Sequence, residues 1–373
     1  MQYRDFGNTG VKVSVLGFGA MRLPQEQVKG KSRIKQEESV EIIQKAFELG
    51  VNYVDTAYVY NEGDSELAVG KALKGWREKV YLSTKLPIWY FKKTSDYRRF
   101  LEEELERLKV DYIDFYHFHC LSGDKFKNTV LKYDLLREAR KAKDEGLITH
   151  ISFSFHDKPK VMKRLIDIGI FESVLCQYNL LDKSNEEAMA YAKEKGLGVA
   201  VMGPVGGGRL ASSGILKGIL AGSIKSTPEL ALRFVLANEK VSVALSGMGS
   251  MRMVEENVRA ASLSKPLSNE ELETIEAFIK ERRKKEEITC NMCEYCQPCP
   301  SQVAISRIFE LMNYYSVYGL KEYALSEYKN IGSGEKDERE KADACTECGE
   351  CEEKCPQKIK IMEKLKECHQ ALG

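Results

Sequence analysis

The chain has 373 residues, with 57 basic against 56 acidic side chains and a formal net charge of +1, so no field favours nucleic acid or anionic lipid over a neutral small molecule. The N-terminus, Met1-Gln2-Tyr3-Arg4-Asp5, lacks a signal-peptide run, and no segment reaches the ~18 uncharged apolar residues of a membrane span. A soluble, cytoplasmic protein without nucleic-acid or membrane partners is expected. Its length exceeds one average domain but accommodates an α/β barrel of about 250 residues with a small appendage.

Residues 2–14 alternate weakly around Gly7-Asn8-Thr9-Gly10, a turn signal, and read as a short hairpin that covers the barrel floor. Eight strand candidates come next, at residues 15–19, 51–55, 80–85, 113–119, 148–154, 173–177, 199–202 and 241–246. Helical spacing separates them over 40–49, 67–73, 97–108, 131–144, 161–168, 186–195, 228–236 and 251–258. Eight such repeats imply a (β/α)8 TIM barrel, with site residues on the loops after the strands. A charged helix over 269–285 ends in Glu281-Arg282-Arg283-Lys284-Lys285, after which cysteine crowds the sequence. The expected division is a barrel over 1–283 and a small, mainly helical domain over 284–373.

The second strand closes on Asp55 and leads through Thr56 to Tyr60, while the third and fourth bring Lys85 and His119 to the same rim. Reducing a carbonyl puts negative charge on its oxygen, so a proton donor is required there. An ammonium at about 4 Å is worth roughly 4 kcal/mol at an effective dielectric of 20, so Lys85 is expected to lower the Tyr60 pKa. Asp55 would hold Lys85 charged and aimed, and His119 would hydrogen-bond the substrate oxygen. His117, two residues earlier on the same strand face, is the competing imidazole.

At these four residues the chain resembles the aldo-keto reductases, whose tetrad is Asp, Tyr, Lys and His in this order. Further matches are Tyr3-Arg4-Asp5-Phe6-Gly7-Asn8-Thr9-Gly10-Val11, Leu16-Gly17-Phe18-Gly19-Ala20-Met21-Arg22-Leu23-Pro24, and Gly247-Met248-Gly249-Ser250 followed by Glu256-Asn257. The resemblance spans the first three quarters and implies NAD(P)H, NADP in preference to NAD, acting on a small carbonyl or alcohol. It puts Ser154 and Gln177 at the nicotinamide amide, although Phe155, followed by His156, replaces the family's usual asparagine. Met202 stands where the family often stacks a tyrosine on the nicotinamide ring. The resemblance also implies Arg252 at the adenosine phosphate, beside Gly247, and Glu256 with Asn257 at the adenine. The connection over 203–226, with Gly203, Gly207 and Arg209, reads either as a cover over the cofactor or as a flexible surface loop.

The tail carries Cys290-x-x-Cys293-x-x-Cys296-x-x-Cys299-Pro300 and Cys345-x-x-Cys348-x-x-Cys351-x-x-x-Cys355-Pro356. The second run matches the bacterial ferredoxin pattern, in which three cysteines hold one cubane and the fourth serves the other. Zinc sites instead split their ligands into separated pairs. By this resemblance Cys345, Cys348 and Cys351 join Cys299 on one [4Fe-4S] cluster, and Cys290, Cys293 and Cys296 join Cys355 on another. The first run ends with a two-residue spacing instead of three, which leaves a single cluster as the fallback. Tyr314, Tyr315, Tyr318, Tyr323 and Tyr328 in the spacer read as core packing.

Three functional classes are compatible with these motifs. The first is a nicotinamide-dependent oxidoreductase fused to an iron-sulfur module. The second is an electron-transfer subunit, with a flavin converting between hydride and single electrons for a redox partner protein. The third is a cofactor-sensing binding subunit.

Overall fold

The computed structural model describes residues 1–28, 31–206, 210, 224–263, 267–283, 288, 290, 296–333, 339–355 and 357–373. Contacts divide it into two units, residues 1–207 with 228–267 and residues 208–227 with 268–373.

The first unit opens with strand β1 (Tyr3–Asp5) antiparallel to β2 (Lys12–Ser14). Between them Phe6 meets Tyr53 and Phe115 edge-on, at 5.7 and 4.8 Å between ring centroids. It shares its cluster with Val13, Leu175, Ala200, Val243 and Leu245. The hairpin thus closes the floor, as expected. Gly7 has φ +59°, and a Cβ there would fall 2.3 Å from the Gly198 nitrogen, so only glycine allows this approach.

The barrel strands are β3 (Leu16–Gly19), β6 (Tyr53–Asp55), β7 (Tyr81–Leu86), β8 (Ile113–Leu121), β9 (Ile148–Phe155), β10 (Ser173–Gln177), β11 (Gly198–Met202) and β12 (Val243–Gly247). They pair in parallel in that order, and β12 returns to β3 to close the barrel. This is the expected (β/α)8 architecture. The strands are nearly all buried because side chains fill the lumen on one face while helices cover the other. The helix Asp96–Leu108, for example, turns Phe100, Leu101 and Leu108 inward, each such side chain contributing about 1.5–3 kcal/mol.

Between β3 and β6 lies a hairpin the sequence did not announce, β4 (Gln25–Val28) with β5 (Lys31–Ile34). All four β4 residues are exposed, so no apolar alternation marks it. β8 also runs further than expected, through a register irregularity between Phe118 and Leu121 where Cys120 takes φ +50°.

The second unit contains the helices Asn269–Arg283, Ile305–Ser316, Lys321–Asn330, Glu350–Lys354 and Ile361–Leu372. By contacts the charged helix Asn269–Arg283 belongs here, so the change in packing falls before the change in composition at 283. Ile308, Phe309, Leu311, Tyr314, Tyr318, Tyr328 and Leu365 are buried. Tyr314 lies 6.3 Å from Tyr318 and 5.8 Å from Tyr323 between ring centroids, so these spacer tyrosines pack as a cluster. Among the described residues no helix is long and apolar enough to cross a membrane.

Candidate active site and cysteine cavity

Asp55 ends β6 and Lys85 lies near the end of β7, both turned into the lumen. The Lys85 ammonium donates to Asp55 Oδ1 at 2.5 Å and to the Thr56 carbonyl at 2.6 Å, and Ser83 Oγ donates to Asp55 Oδ2 at 2.7 Å. Lys85 is 1% exposed and Asp55 3%, a depth at which neither charge is tolerable alone. Burial alone would lower the Lys85 pKa, but Asp55 and Tyr60 outweigh it and the net shift is upward. The ammonium therefore stays charged.

Tyr60 begins a one-turn segment, Tyr60–Gly63, in which Asn61, Glu62 and Gly63 all have positive φ, 51°, 55° and 90°. A left-handed conformation costs a non-glycine residue about 1–2 kcal/mol, so the surroundings must hold this loop. Arg107 donates to the Tyr58 carbonyl at 3.2 Å, and the Tyr58 hydroxyl donates to Glu103 at 2.6 Å. Asp64 is anchored by Arg33 at 3.2 Å, so β5 helps to set the loop.

The Lys85 nitrogen lies 4.7 Å from the Tyr60 ring centroid, and phenol and ammonium interact directly. The expected fall in the Tyr60 pKa is corrected by this burial. Desolvation raises the pKa and outweighs the opposing pull of Lys85, leaving the phenol above its ordinary range. The sequence reveals the charged neighbour but not the depth. A proton donor must be protonated beforehand, and burial ensures that.

His119 is the imidazole beside Tyr60, at 6.0 Å between ring centroids. Burial, then Lys85 and other neighbouring positive groups, pull its pKa well below the usual value. It is thus neutral near pH 7, able to donate one hydrogen bond and accept one, and its buried Nδ1 has no partner among the described residues. His117, fully buried, is pushed down to about 3 chiefly by burial.

Trp89, which sequence reasoning missed, lies 4.9 Å from His119 between ring centroids. It is 40% exposed and Tyr90 50%. An aromatic pair after a strand signals nothing by itself. Only the fold puts it on this wall.

Ser154 Oγ accepts from the Cys120 backbone N–H at 2.8 Å, fixing the bulge next to His119. Phe155 is 1% exposed and belongs to the core, while His156 follows it on the loop. The Gln177 carbonyl accepts from Asn185 at 3.0 Å, and its side-chain amide lies against Gly203, where a Cβ would fall 2.7 Å away. Gly203, at φ +65°, is therefore needed as glycine. Met202 is half-buried against the lumen cluster. Gly247, over which the Arg22 side chain packs, ends β12, and Ser250 follows, its hydroxyl capping the helix Met251–Ser262 by accepting from Met253 at 3.3 Å. Asn257 donates to Ser246 Oγ at 3.1 Å, and Arg252 is paired with Glu256 at 2.8 Å. Gly207 and Arg209 lie outside the described residues.

In the second unit, Cys299, Cys345, Cys348 and Cys351 line one cavity, with Cys296 also on its wall. Burial and the neighbouring Cys345 and Cys299 sulfurs push the Cys351 thiol up to about 11, so these thiols crowd one another, and only a cation would let them ionise together. Among the described residues no three His, Cys, Asp or Glu side chains close around a single metal ion. Thiols spread around a shared cavity suit the corners of a cluster. Cys355 is buried, Cys290 half-buried, and Cys293 lies outside the described residues.

Comparison with known proteins places this geometry in a class. The aldo/keto reductase family model matches residues 15–217, and a 4Fe-4S dicluster domain model matches residues 289–359. L-galactose dehydrogenase of Arabidopsis thaliana is 30% identical over 311 residues, covering 75% of this chain and 95% of its own. An uncharacterized oxidoreductase of Bacillus subtilis, YqkF, is 27% identical, covering 75% and 97%. Among solved structures, the holo form of the aldo-keto reductase AKR11C1 from Bacillus halodurans superposes with a TM-score of 0.65 at 29% identity, covering 74% of this chain and 96% of that one. The chain belongs to the aldo/keto reductase family and carries a C-terminal 4Fe-4S dicluster domain.

Proposed function

We propose that the barrel reduces a small aldehyde or ketone with NAD(P)H, Tyr60 donating the proton. The observation that carries this is the convergence of a protonated phenol, a charged ammonium and a neutral imidazole at the ends of β6, β7 and β8. When bound, the nicotinamide supplies the hydride. Tyr60 protonates the carbonyl oxygen, and the nearby Lys85 charge stabilises the phenolate left behind. Asp55 keeps that charge in place, and His119 orients the carbonyl. Ser154 and Gln177 are the groups for the carboxamide, with Met202 and Gly203 lining the ring's side. Gly247 and Arg252, at the capped N-terminus of Met251–Ser262, suit the adenosine phosphate, Glu256 and Asn257 are the groups for the adenine, and the two positively charged side chains Arg22 and Arg252 support NADP over NAD.

Tyr60→Phe is expected to lower turnover of a carbonyl panel with NADPH by about 10²–10⁴-fold while leaving NADPH binding in place. Equal turnover in the variant sinks the mechanism.

The cysteine cavity supports a [4Fe-4S] cluster on Cys299, Cys345, Cys348 and Cys351, while a second, on Cys290, Cys293, Cys296 and Cys355, rests on the spacing of the cysteines alone. Clusters exchange single electrons, whereas hydride carries two, so a second reading makes the chain an electron-transfer subunit for a redox partner protein. Anaerobic purification with iron and sulfide quantification counts the clusters. A flavin spectrum in the same sample favours the second reading, and a flavin-free sample that turns over carbonyls with NADPH favours the first.

A further inference from the structure

The loop after β8 brings a lysine to the wall that carries Trp89 and His119. Ser122 follows the strand and its hydroxyl accepts from the Lys125 backbone N–H at 3.2 Å, turning the chain back at once. The Lys125 ammonium then lies 5.3 Å from the Trp89 ring centroid, Trp89 lies 4.9 Å from His119, and His119 lies 6.0 Å from Tyr60. We propose that Lys125, over Trp89, binds the anionic group of the substrate, so that the barrel selects carbonyl compounds carrying a carboxylate or phosphate.

Charge accounting around the site supports this. The Lys85 charge is spent on Asp55 and the Thr56 carbonyl, and His119 is held neutral, so neither offers an incoming anion a cation. Lys125 has no ion pair among the described residues. It is half-buried, and its charge adds to the burial that lowers the pKa of His119 and His156 and opposes the burial that raises that of Cys120, three groups on the same rim. A solvated surface lysine would be screened from them. Trp89 and Tyr90 remain exposed beside it, offering apolar faces to the body of a ligand whose anionic end meets the ammonium. The near-zero net charge of the chain is no obstacle, because a local uncompensated cation, not the overall field, reads a small anion.

The inference rests on the reductase reading, and two measurements separate their failures. The first compares 4-carboxybenzaldehyde with 4-methylbenzaldehyde, which share ring and aldehyde but differ in charge, under NADPH and at low ionic strength. Wild type is expected to favour the carboxylate in kcat/KM. Lys125→Gln is expected to cut that preference about fivefold, mainly through KM, and Lys125→Arg to restore most of it, a fold-change typical of one charged contact at a partly exposed site. The second measurement titrates tryptophan fluorescence with benzoate, which cannot be reduced. Quenching is expected in wild type, weakened by salt, and lost in Lys125→Gln. Benzoate binding that depends on Lys125 without any aldehyde turnover upholds the anion site and removes the reductase reading. Aldehyde turnover with no carboxylate preference, or a preference that Lys125→Gln leaves intact, overturns the anion site.

Discussion

The barrel unit buries charge in two places on opposite faces of the same strand. Lys85 of β7 points into the lumen and meets Asp55, whereas its neighbour Thr84 points outward and donates to Glu66 at 2.8 Å and Glu104 at 3.2 Å. Both glutamates are 0% exposed. Arg107 pairs with Glu66 at 3.1 Å, and the Tyr116 hydroxyl donates to Glu104. The two clusters are equally deep but balanced differently. Inside, one cation meets one anion: Lys85 is held charged, and its pull on Asp55 opposes the burial that raises the Asp55 pKa. Outside, two carboxyls face one guanidinium, and burial followed by Glu66 drives the Glu104 pKa well above the usual carboxylate range, so the pair settles by keeping a proton. Buried charge alone therefore does not mark an active site. What distinguishes the inner cluster is a phenol and an imidazole beside it with partners still to be met.

Breaking the inner pair should have the largest effect. Lys85→Met removes the charge that stabilises the Tyr60 phenolate and strands Asp55 in the lumen. Turnover is expected to fall by about 10²–10⁴-fold, with a stability loss of roughly 3–5 kcal/mol measured by urea titration. Adding Asp55→Asn should recover much of the stability and none of the turnover. A double variant as unstable as the single one would show that the pair is not electrostatically coupled.

A smaller effect is expected at the outer cluster. Arg107→Met leaves Glu66 short of a charged partner and releases the Tyr58 carbonyl, for about 1–3 kcal/mol of stability. Because Tyr58 begins the strained loop that carries Tyr60, turnover should fall several-fold, without the collapse seen at Lys85. A loss as deep as that of Lys85→Met would make Arg107 part of the reacting set and erase the contrast between the two faces.

How much of this was legible depends on which side chains carry their signal locally. Asp55, Lys85 and His119 each close a run of apolar, β-forming residues, so sequence order and period place them at one rim of an eightfold repeat. The cysteine runs were equally plain, since ligand spacing is written along the chain. Glu66 and Glu104 were not. On a helix a glutamate ordinarily faces water, and nothing local says that these two turn toward Thr84. Trp89 and Lys125 sit on separate loops brought together only by barrel closure, and the exposed β4–β5 hairpin lacks any apolar alternation. The Tyr60 pKa failed for a related reason. Its sign depends on how far burial opposes a charge, and burial is a property of the closed barrel.

The smallest expected effect is the most specific test of the outer pair. Since the Glu104 pKa is raised in the folded state, the folded protein keeps a proton that the unfolded chain releases above its ordinary carboxylate pKa of ~4.3. The folded state then binds more protons than the unfolded one, so stability falls as pH rises from that value through the folded pKa. Glu104→Gln cannot ionise, yet it can still accept from Tyr116 and hydrogen-bond Glu66. It should be within about 1 kcal/mol of wild type at pH 5 and gain on it at pH 8, as read from Tm at the two values. Parallel Tm shifts in both proteins would mean that Glu104 is ionised in the fold, and the outer cluster would then hold two negative charges against one positive one.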